Sequence, residues 1–243
     1  MTLLAGRHAF ITGASRGIGA AIADQLEDAG ASVTRTALRA RDNVLACDVA
    51  SVEQVASAMT TAEQRHGPIN ILINNAGIGG SNPFTRTDLV MLNRMFDINF
   101  KGAWHCAQRV LPAMTQSKWG RVVNIASLAG LDGYPYIAAY CASKHALIGF
   151  TRALAAEMAA RNADIGIAAI CPGYTETDML EESIANIVRQ STLTTDEARA
   201  ALSASNPGNR LVTPEEIARA VVTLCTSPSS RINGQIISIP ERQ

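Results

Sequence analysis

The chain has 243 residues, no formal net charge at pH 7 and 47% apolar side chains, enough for one α/β domain with a large core and too short for two full-sized ones. A balanced charge without a Lys/Arg cluster argues against a nucleic-acid partner or a membrane surface, and no apolar run reaches the roughly 18 residues that would span a bilayer. The five cysteines, Cys47, Cys106, Cys141, Cys171 and Cys225, are odd in number and lack metal-ligand spacing, which suits reduced thiols in a cytoplasmic protein.

The N-terminus carries Arg7 and His8 and enters a strand at once, so it does not read as a signal peptide. That strand, over 7–12, runs into Gly13-Ala14-Ser15-Arg16-Gly17-Ile18-Gly19 and a helical stretch over 18–28. A strand, a glycine turn and a helix N-terminus form an anion site, because glycines admit close backbone approach and unpaired N–H groups point at the ligand. The spacing is G-x-x-x-G-x-G, not the common G-x-G-x-x-G fingerprint. Strands follow at 32–37, 44–47, 69–74, 120–126, 165–171 and 235–239, and helical patterns near 51–66, 87–117, 139–160 and 214–226. The region 176–212 reads as long and weakly structured, with amphipathic pieces over 179–189 and 195–202. Near-continuous apolar strands alternating with helices predict a doubly wound, seven-stranded parallel sheet covered on both faces. Such a sheet binds its ligand outside the carboxyl ends of its strands, where Gly13, Asp48, Asn74, Ser127 and Pro172 fall.

Tyr140 and Lys144 lie four residues apart in a helix-favouring run, on the same face and one turn from each other. An ammonium beside a phenol favours the phenolate, drawing a group with a free pKa of about 10 toward the working pH. A tyrosine so tuned can pass a proton to or from an alcohol or ketone oxygen. Ser127 ends the strand over 120–126, where its hydroxyl can bond the same oxygen. Tyr and Lys at this spacing also occur on solvated helix faces, so the pair alone leaves a structural role open. His8, His66, His105 and His145 have no ligand-spaced partner and read as surface or helix residues.

Taken in order, Thr12-Gly13 through Gly19, Asp48-Val49, Asn74-Asn75-Ala76-Gly77, Asn99, Ser127, Tyr140 with Lys144, and Pro172-Gly173 followed by Thr177 resemble the short-chain dehydrogenase/reductase family over nearly the whole chain. The resemblance implies a single Rossmann-like domain over 1–243 with a substrate lid at about 176–212. It implies hydride transfer between a nicotinamide dinucleotide and a ketone or secondary alcohol, the cofactor doing the redox chemistry. Asn99, Ser127, Tyr140 and Lys144 would be catalytic, Asn99 interrupting its helix and holding a water in a proton relay to Lys144. Gly13, Ser15, Arg16, Gly17, Ile18 and Gly19 would hold the pyrophosphate end. Asp48 and Val49 would meet the adenine, unless Asp48 caps the next helix. Asn75, Ala76 and Gly77 would pass the adenosine ribose, unless the asparagine pair instead ties strands together. Tyr140, Lys144, Pro172, Gly173, Thr175 and Thr177 would surround the nicotinamide ribose and carboxamide.

Two departures stand out: the segment after Val33 is so short that the helix usual after the second strand shrinks to a loop, and the chain ends in Asn233-Gly234-Gln235 where many relatives have Asp-Gly-Gly. NAD preference usually needs an acid about 20 residues beyond the glycine turn, and Thr36-Ala37-Leu38 offers none. Arg16 and Arg39 offer cations for a 2′-phosphate, so NADP(H) is favoured over NAD(H), with Asp42 folding back to a ribose hydroxyl as the alternative. The segment from Cys171 to Met179 with Asn206-Pro207 resembles relatives acting on 3-oxoacyl or 3-hydroxyacyl thioesters. A cyclic or aromatic ketone or alcohol is the other substrate reading, and a non-catalytic dinucleotide sensor the reading of another class. A homotetramer is expected, a dimer second, through the stretches 102–117 and 139–160 and the apolar residues Phe100, Ala103, Trp104, Ala107, Val110 and Leu111.

Overall fold

A computed structural model describes residues 3–161 and 163–241. All seven expected strands are present: β1 (His8–Ile11), β2 (Ser32–Ala37), β3 (Val44–Ala46), β4 (Ile71–Asn74), β5 (Trp119–Ile125), β6 (Asp164–Pro172) and β7 (Ile236–Ile239). They form one sheet in the order β3-β2-β1-β4-β5-β6-β7, every neighbouring pair parallel. Strands β1 and β4 are buried throughout, as expected of central strands covered on both faces. Their side chains alternate between two cores. Ala9, Ile11, Ile71, Ile73, Val123 and Ile125 pack on one face of the sheet, and Phe10, Leu72 and Val122 on the other.

Helices α1 (Gly17–Asp28), α2 (Val52–His66), α3 (Leu89–Phe96), α4 (Gly102–Ser117) and α5 (Ala138–Ala159) alternate with the first strands. Ser51 caps α2 by accepting from the Gln54 N–H at 3.2 Å, so the cap alternative considered for Asp48 falls to Ser51 instead. Asp48 accepts from the Ala50 N–H. The expected helix over 87–117 is broken into α3 and α4 by a π-turn, Asp97–Lys101, that contains Asn99. Between β2 and β3 the chain makes a short turn, closed by a bridge from Arg41 to Val44 with Asn43 at φ 58°. The shortened connection expected there is what the chain adopts.

The expectation of weak structure over 176–212 is corrected. That segment folds into α6 (Asp178–Gln190) and α7 (Thr195–Ala204), the latter started by a capping box between Thr194 and Glu197. The pair holds together through a cluster of its own, Leu180, Ile184, Ala198 and Leu202. Helices α8 (Pro214–Thr226) and α9 (Ser229–Ile232) lead to β7. Among the described residues no helix is long and apolar enough to cross a membrane.

Two further expectations need adjustment. Of the apolar residues expected to face a partner, Ala103, Ala107 and Val110 are buried in the chain's own cores, because that side of α4 faces the sheet. Phe100, Trp104 and Leu111 remain at least partly exposed, and the rings of Phe100 and Trp104 pack with Phe150. His8 is no surface residue. Its ring is buried in β1, with Nδ1 2.8 Å from the Gly67 carbonyl and Nε2 2.9 Å from Thr34 Oγ1.

Candidate active site

The sheet order reverses between β1, which leads outward to β2 and β3, and β4, which leads to β5, β6 and β7. The residues singled out by chemistry collect at the carboxyl ends of these strands, as doubly wound sheets require. Ser127 lies just beyond β5 and caps the 3₁₀ turn Leu128–Gly130, its Oγ accepting from the Ala129 N–H at 3.1 Å. Tyr140 stands in the first turn of α5 and its hydroxyl hydrogen-bonds Ser127. Lys144, one turn on, is buried, with Nζ 5.8 Å from the Tyr140 ring centroid and donating to the Ile125 carbonyl at 2.9 Å.

Asn99 reaches the same place from the π-turn. Its Oδ1 accepts from the Ile78 N–H at 2.8 Å, and its Nδ2 donates to the Ile78 carbonyl and to Ser143 Oγ, each at 3.0 Å. Ser143 in turn donates to the Tyr140 carbonyl. Gly77 lies between the groups: a Cβ there would sit 3.3 Å from Asn99 Oδ1 and 3.6 Å from Lys144 Nζ. The structure thus brings all four expected residues together.

Their electrostatics differ from the sequence expectation. Burial pushes the Tyr140 phenol up to about 12, the Ser127 hydrogen bond acting in the opposite direction. Burial also brings the Lys144 ammonium down from 10.5 to about 8. The expected pull of the lysine on the phenol gives way to burial, which raises the phenol and lowers the ammonium, with Nζ turned to the Ile125 carbonyl.

The glycine turn adjoins this cluster. Gly13 and Gly17 have φ of 66° and 56°, a region glycine enters without strain. A Cβ at Gly19 would lie 2.4 Å from the Gly13 carbonyl and 2.5 Å from Asn75 Nδ2, so the first turn of α1 packs directly on its own loop. Ser15 is half-buried in the turn and Ile18 is the second residue of the helix. Arg16 is the N-cap of α1 and makes no side-chain cap bond. The first N–H groups of a helix have no intrahelical acceptor, so here they remain for an anion. Asn75 donates through Nδ2 to the carbonyls of Thr12 and Gly13, while Thr12 Oγ1 accepts from the N–H groups of Asn75 and Ala76. Asn74 donates to Asn124 across β4 and β5. The asparagine side chains therefore tie strands together, leaving the backbone of 75–77 to border the groove. Val49 is buried against Gly102, and Asp48 is partly exposed just beyond β3. Arg39 is exposed just past β2, with no ion pair among the described residues, whereas Arg16 pairs with Asp178.

The third wall is the segment after β6. Pro172 ends the strand, and Gly173 is so close to Asn206 that a Cβ would meet its Oδ1 at 2.3 Å. Buried Asn206 holds this segment through three bonds, accepting from the Tyr174 N–H and donating to the Tyr174 and Arg210 carbonyls. Thr175 bridges to Val212, and Thr177 stands at the N-cap position of α6 without a side-chain cap bond, its Oγ1 donating instead to the Thr175 carbonyl. Helix α6 reaches over the loop after β4, where Asn186 Nδ2 donates to Ser81 Oγ at 2.6 Å and Met179 lies against Gly79. Sequence reasoning assigned no role to Ser143, Asn206 or Asp178. Ser143 was marked only by its place beside Lys144, while Asp178 and Asn206 entered only as members of the lid pattern.

Comparison with known proteins agrees with this geometry. Residues 7–187 match the family model described as short chain dehydrogenase. The chain is 34% identical to a 3-oxoacyl-(acyl-carrier-protein) reductase FabG of Vibrio harveyi, over 97% of this chain and 96% of that protein. Among solved structures it resembles an actinorhodin polyketide ketoreductase variant with NADPH, at TM-score 0.89 and 31% identity over 96% of this chain and 95% of the other. It also resembles a levodione reductase, at TM-score 0.90 and 28% identity over 97% and 96%. A glycine turn on a doubly wound sheet, a Ser–Tyr–Lys cluster at its carboxyl edge and a family match over most of the chain lead to one conclusion: this protein is an oxidoreductase of the short-chain dehydrogenase/reductase family, using a nicotinamide dinucleotide to interconvert CH–OH and carbonyl groups.

Proposed function

We propose that the protein reduces the ketone of a 3-oxoacyl thioester with NADPH, with Asn99, Ser127, Tyr140 and Lys144 as its catalytic residues. The observation that carries this reading is the convergence of Tyr140, Ser127 and Lys144 at the carboxyl edge of the sheet, beside a helix terminus whose cap leaves its N–H groups unused. The residues fit a dinucleotide. Gly13, Ser15, Gly17, Ile18 and Gly19 would hold the pyrophosphate; Asp48 and Val49 the adenine; the backbone of Asn75, Ala76 and Gly77 the adenosine ribose. Lys144 and Tyr140 would hold the nicotinamide ribose, and Pro172, Gly173, Thr175 and Thr177 the carboxamide end. When bound, the cofactor supplies the hydride.

The chain's own residues handle the oxygen. A phenol raised to about 12 is fully protonated at pH 7 and holds a proton ready for an oxygen gaining negative charge. An alkoxide is a stronger base than a phenolate, so this transfer runs downhill in the reducing direction. Ser127 donates to the same oxygen and to the phenol in turn. Lys144 returns a proton toward Tyr140, and its low pKa of about 8 makes it a ready donor. Asn99 has committed its side chain to Ile78 and Ser143, so its part in a water relay falls to the main chain of the π-turn.

The thioester follows from the 3-oxoacyl reductase relative. A cyclic or aromatic ketone is the second reading, favoured by the levodione reductase neighbour and by Tyr134 and Tyr174, close enough for Tyr134 to contribute, after burial, to raising the Tyr174 phenol. A non-catalytic sensor would have no need of the complete cluster. For the cofactor, the end of β2 carries no carboxylate, and Arg16 and Arg39 are exposed beside the groove. Replacing both with Ala should raise the KM for NADPH strongly and leave that for NADH nearly unchanged; equal losses would refute the preference. Residues 176–212 act as the lid of a single domain. A homotetramer, with a dimer second, would cover Phe100, Trp104 and Leu111, and a monomer mass by light scattering would exclude both. The five buried cysteines form no disulfide among the described residues, which suits the cytoplasm.

A panel of acyl thioesters and cyclic ketones, followed by NADPH and NADH absorbance, tests the substrate. Tyr140→Phe tests the mechanism: turnover should fall by about a hundredfold to ten-thousandfold with cofactor binding nearly intact. Retention of more than about a tenth of the activity would remove Tyr140 from that role.

A further inference from the structure

The lid helix α6 meets the glycine turn at a charged contact. Arg16 Nη1 donates to Asp178 Oδ2 at 2.5 Å, and both side chains are well exposed, at 65% and 61%. The residue before Asp178 packs on the same turn, since a Cβ at Gly17 would lie 3.3 Å from Thr177 Cγ2. The other acid in the first turn of α6, Glu181, is taken by Arg199 of α7. Asp178 is thus the acid of that turn paired with the glycine loop. Arg39, the other cation beside the groove, has no such partner among the described residues.

We infer that Asp178 sets cofactor selectivity: its carboxylate occupies Arg16, so a dinucleotide bearing a 2′-phosphate must draw the guanidinium away from the lid, and one bearing a 2′-hydroxyl need not. The inference rests on the NADP(H) reading above. An exposed arginine can make that exchange because neither charged head is buried, and rotating the side chain leaves no desolvated group behind. A phosphate carries more charge than a carboxylate and takes the planar guanidinium through two N–H groups at once. The ion pair therefore yields to the phosphate but subtracts from its affinity. The same exchange removes one tether between α6 and the glycine turn, leaving the lid start held there by the Thr177 contact.

The test is a double-mutant cycle on cofactor affinity, with dissociation constants for NADPH and NADH read from reduced-nicotinamide fluorescence in the full-length protein. Wild type, Asp178→Asn, Arg16→Ala and the double variant are compared. Asp178→Asn should tighten NADPH about two- to fivefold, the range an exposed ion pair spans, and leave NADH unchanged. In the Arg16→Ala background the same substitution should have no effect. The inference is overturned if Asp178→Asn leaves NADPH affinity unchanged or weakens it, shifts both cofactors equally, or keeps its effect without Arg16. If Arg16→Ala weakens NADPH selectively while Asp178→Asn does nothing, the role of Asp178 falls and the NADP(H) reading stands. If Arg16→Ala leaves NADPH untouched, the inference falls and the NADP(H) reading rests on Arg39 alone.

Discussion

Burying Lys144 carries a cost in stability that can be measured apart from catalysis. Its ammonium is enclosed at the end of β5 with the Ile125 carbonyl as its hydrogen-bond acceptor, and its pKa falls from 10.5 to about 8. That depression corresponds to about 3 kcal/mol of preference for the neutral form in the folded state. Below pH 8 both folded and unfolded chains carry the ammonium, so the folded state bears the whole cost. Between pH 8 and 10.5 the folded lysine is neutral while the unfolded one still binds a proton, and stability rises with pH. Lys144→Met has a similar length and no titration. From pH 7 to 9.5 the wild type should therefore gain about 2 kcal/mol relative to Lys144→Met. The lost bond to Ile125 only adds an offset independent of pH. Tyr140, whose raised pKa lowers stability above pH 10, is present in both proteins and lies outside this window. Urea unfolding followed by circular dichroism, at equal protein concentration and two pH values, gives the difference directly. A gap between the two proteins that does not change with pH, or that moves the other way, refutes the argument.

Gly19→Ala sets a methyl 2.4 Å from the Gly13 carbonyl, so the turn must shift, and dinucleotide affinity should drop about tenfold to a hundredfold by fluorescence titration; unchanged affinity would remove the turn from the cofactor site. Burial lowers the His8 pKa from 6.5, with a weaker contribution from His66. The unfolded chain therefore takes up a proton below pH 6.5 that the folded chain resists, and the loss of stability between pH 7 and 5 should be shallower in His8→Gln by urea midpoint. Arg121 is only 2% exposed, donates to Asp164 and the Ser227 carbonyl, and lies over the Trp119 ring. Arg121→Ala should cost roughly 2–4 kcal/mol in urea unfolding, and a loss under about 0.5 kcal/mol would place it among ordinary surface changes.

The sheet was legible because its strands are short apolar runs bounded by turn residues, and the glycine turn because its spacing is a local property. Three of the four catalytic candidates were legible for the same reason: Tyr140 and Lys144 share one helix face, and Ser127 ends one strand; Asn99 came with the family resemblance. What escaped depends on contacts distant in sequence. Asn206 meets Tyr174 across 32 positions and Ser143 meets Asn99 across 44, and no local pattern announces either bond. The pieces over 179–189 and 195–202 were visible as amphipathic, but their apolar faces cover each other instead of the sheet, so the segment around them read as loop. The phenol shift was misjudged because spacing shows that Lys144 is near Tyr140 but not that burial acts on both. The apolar face of α4 looked too wide for one core because sequence cannot tell which of Ala103, Trp104 and Ala107 turns inward.

A further regularity joins the fold to the proposed chemistry. At the carboxyl edge several polar side chains are spent on holding the backbone or one another. Asn74 bonds Asn124, which bonds Thr151; Thr12 receives the backbone of 75 and 76; Asn99 grips Ile78; Asn206 grips Tyr174. Groups so committed hold the floor of the cleft in one arrangement, so little reorganisation accompanies the reaction. Ser127 and Tyr140 differ in that each is bonded chiefly to its immediate neighbours, through hydroxyls that can exchange donor and acceptor roles. Rotation of a hydroxyl hydrogen costs far less than moving a strand. The proton transfer assigned to Tyr140 therefore needs no backbone motion, and the burial that raises its phenol to about 12 keeps that proton in place until an oxygen of greater basicity forms beside it.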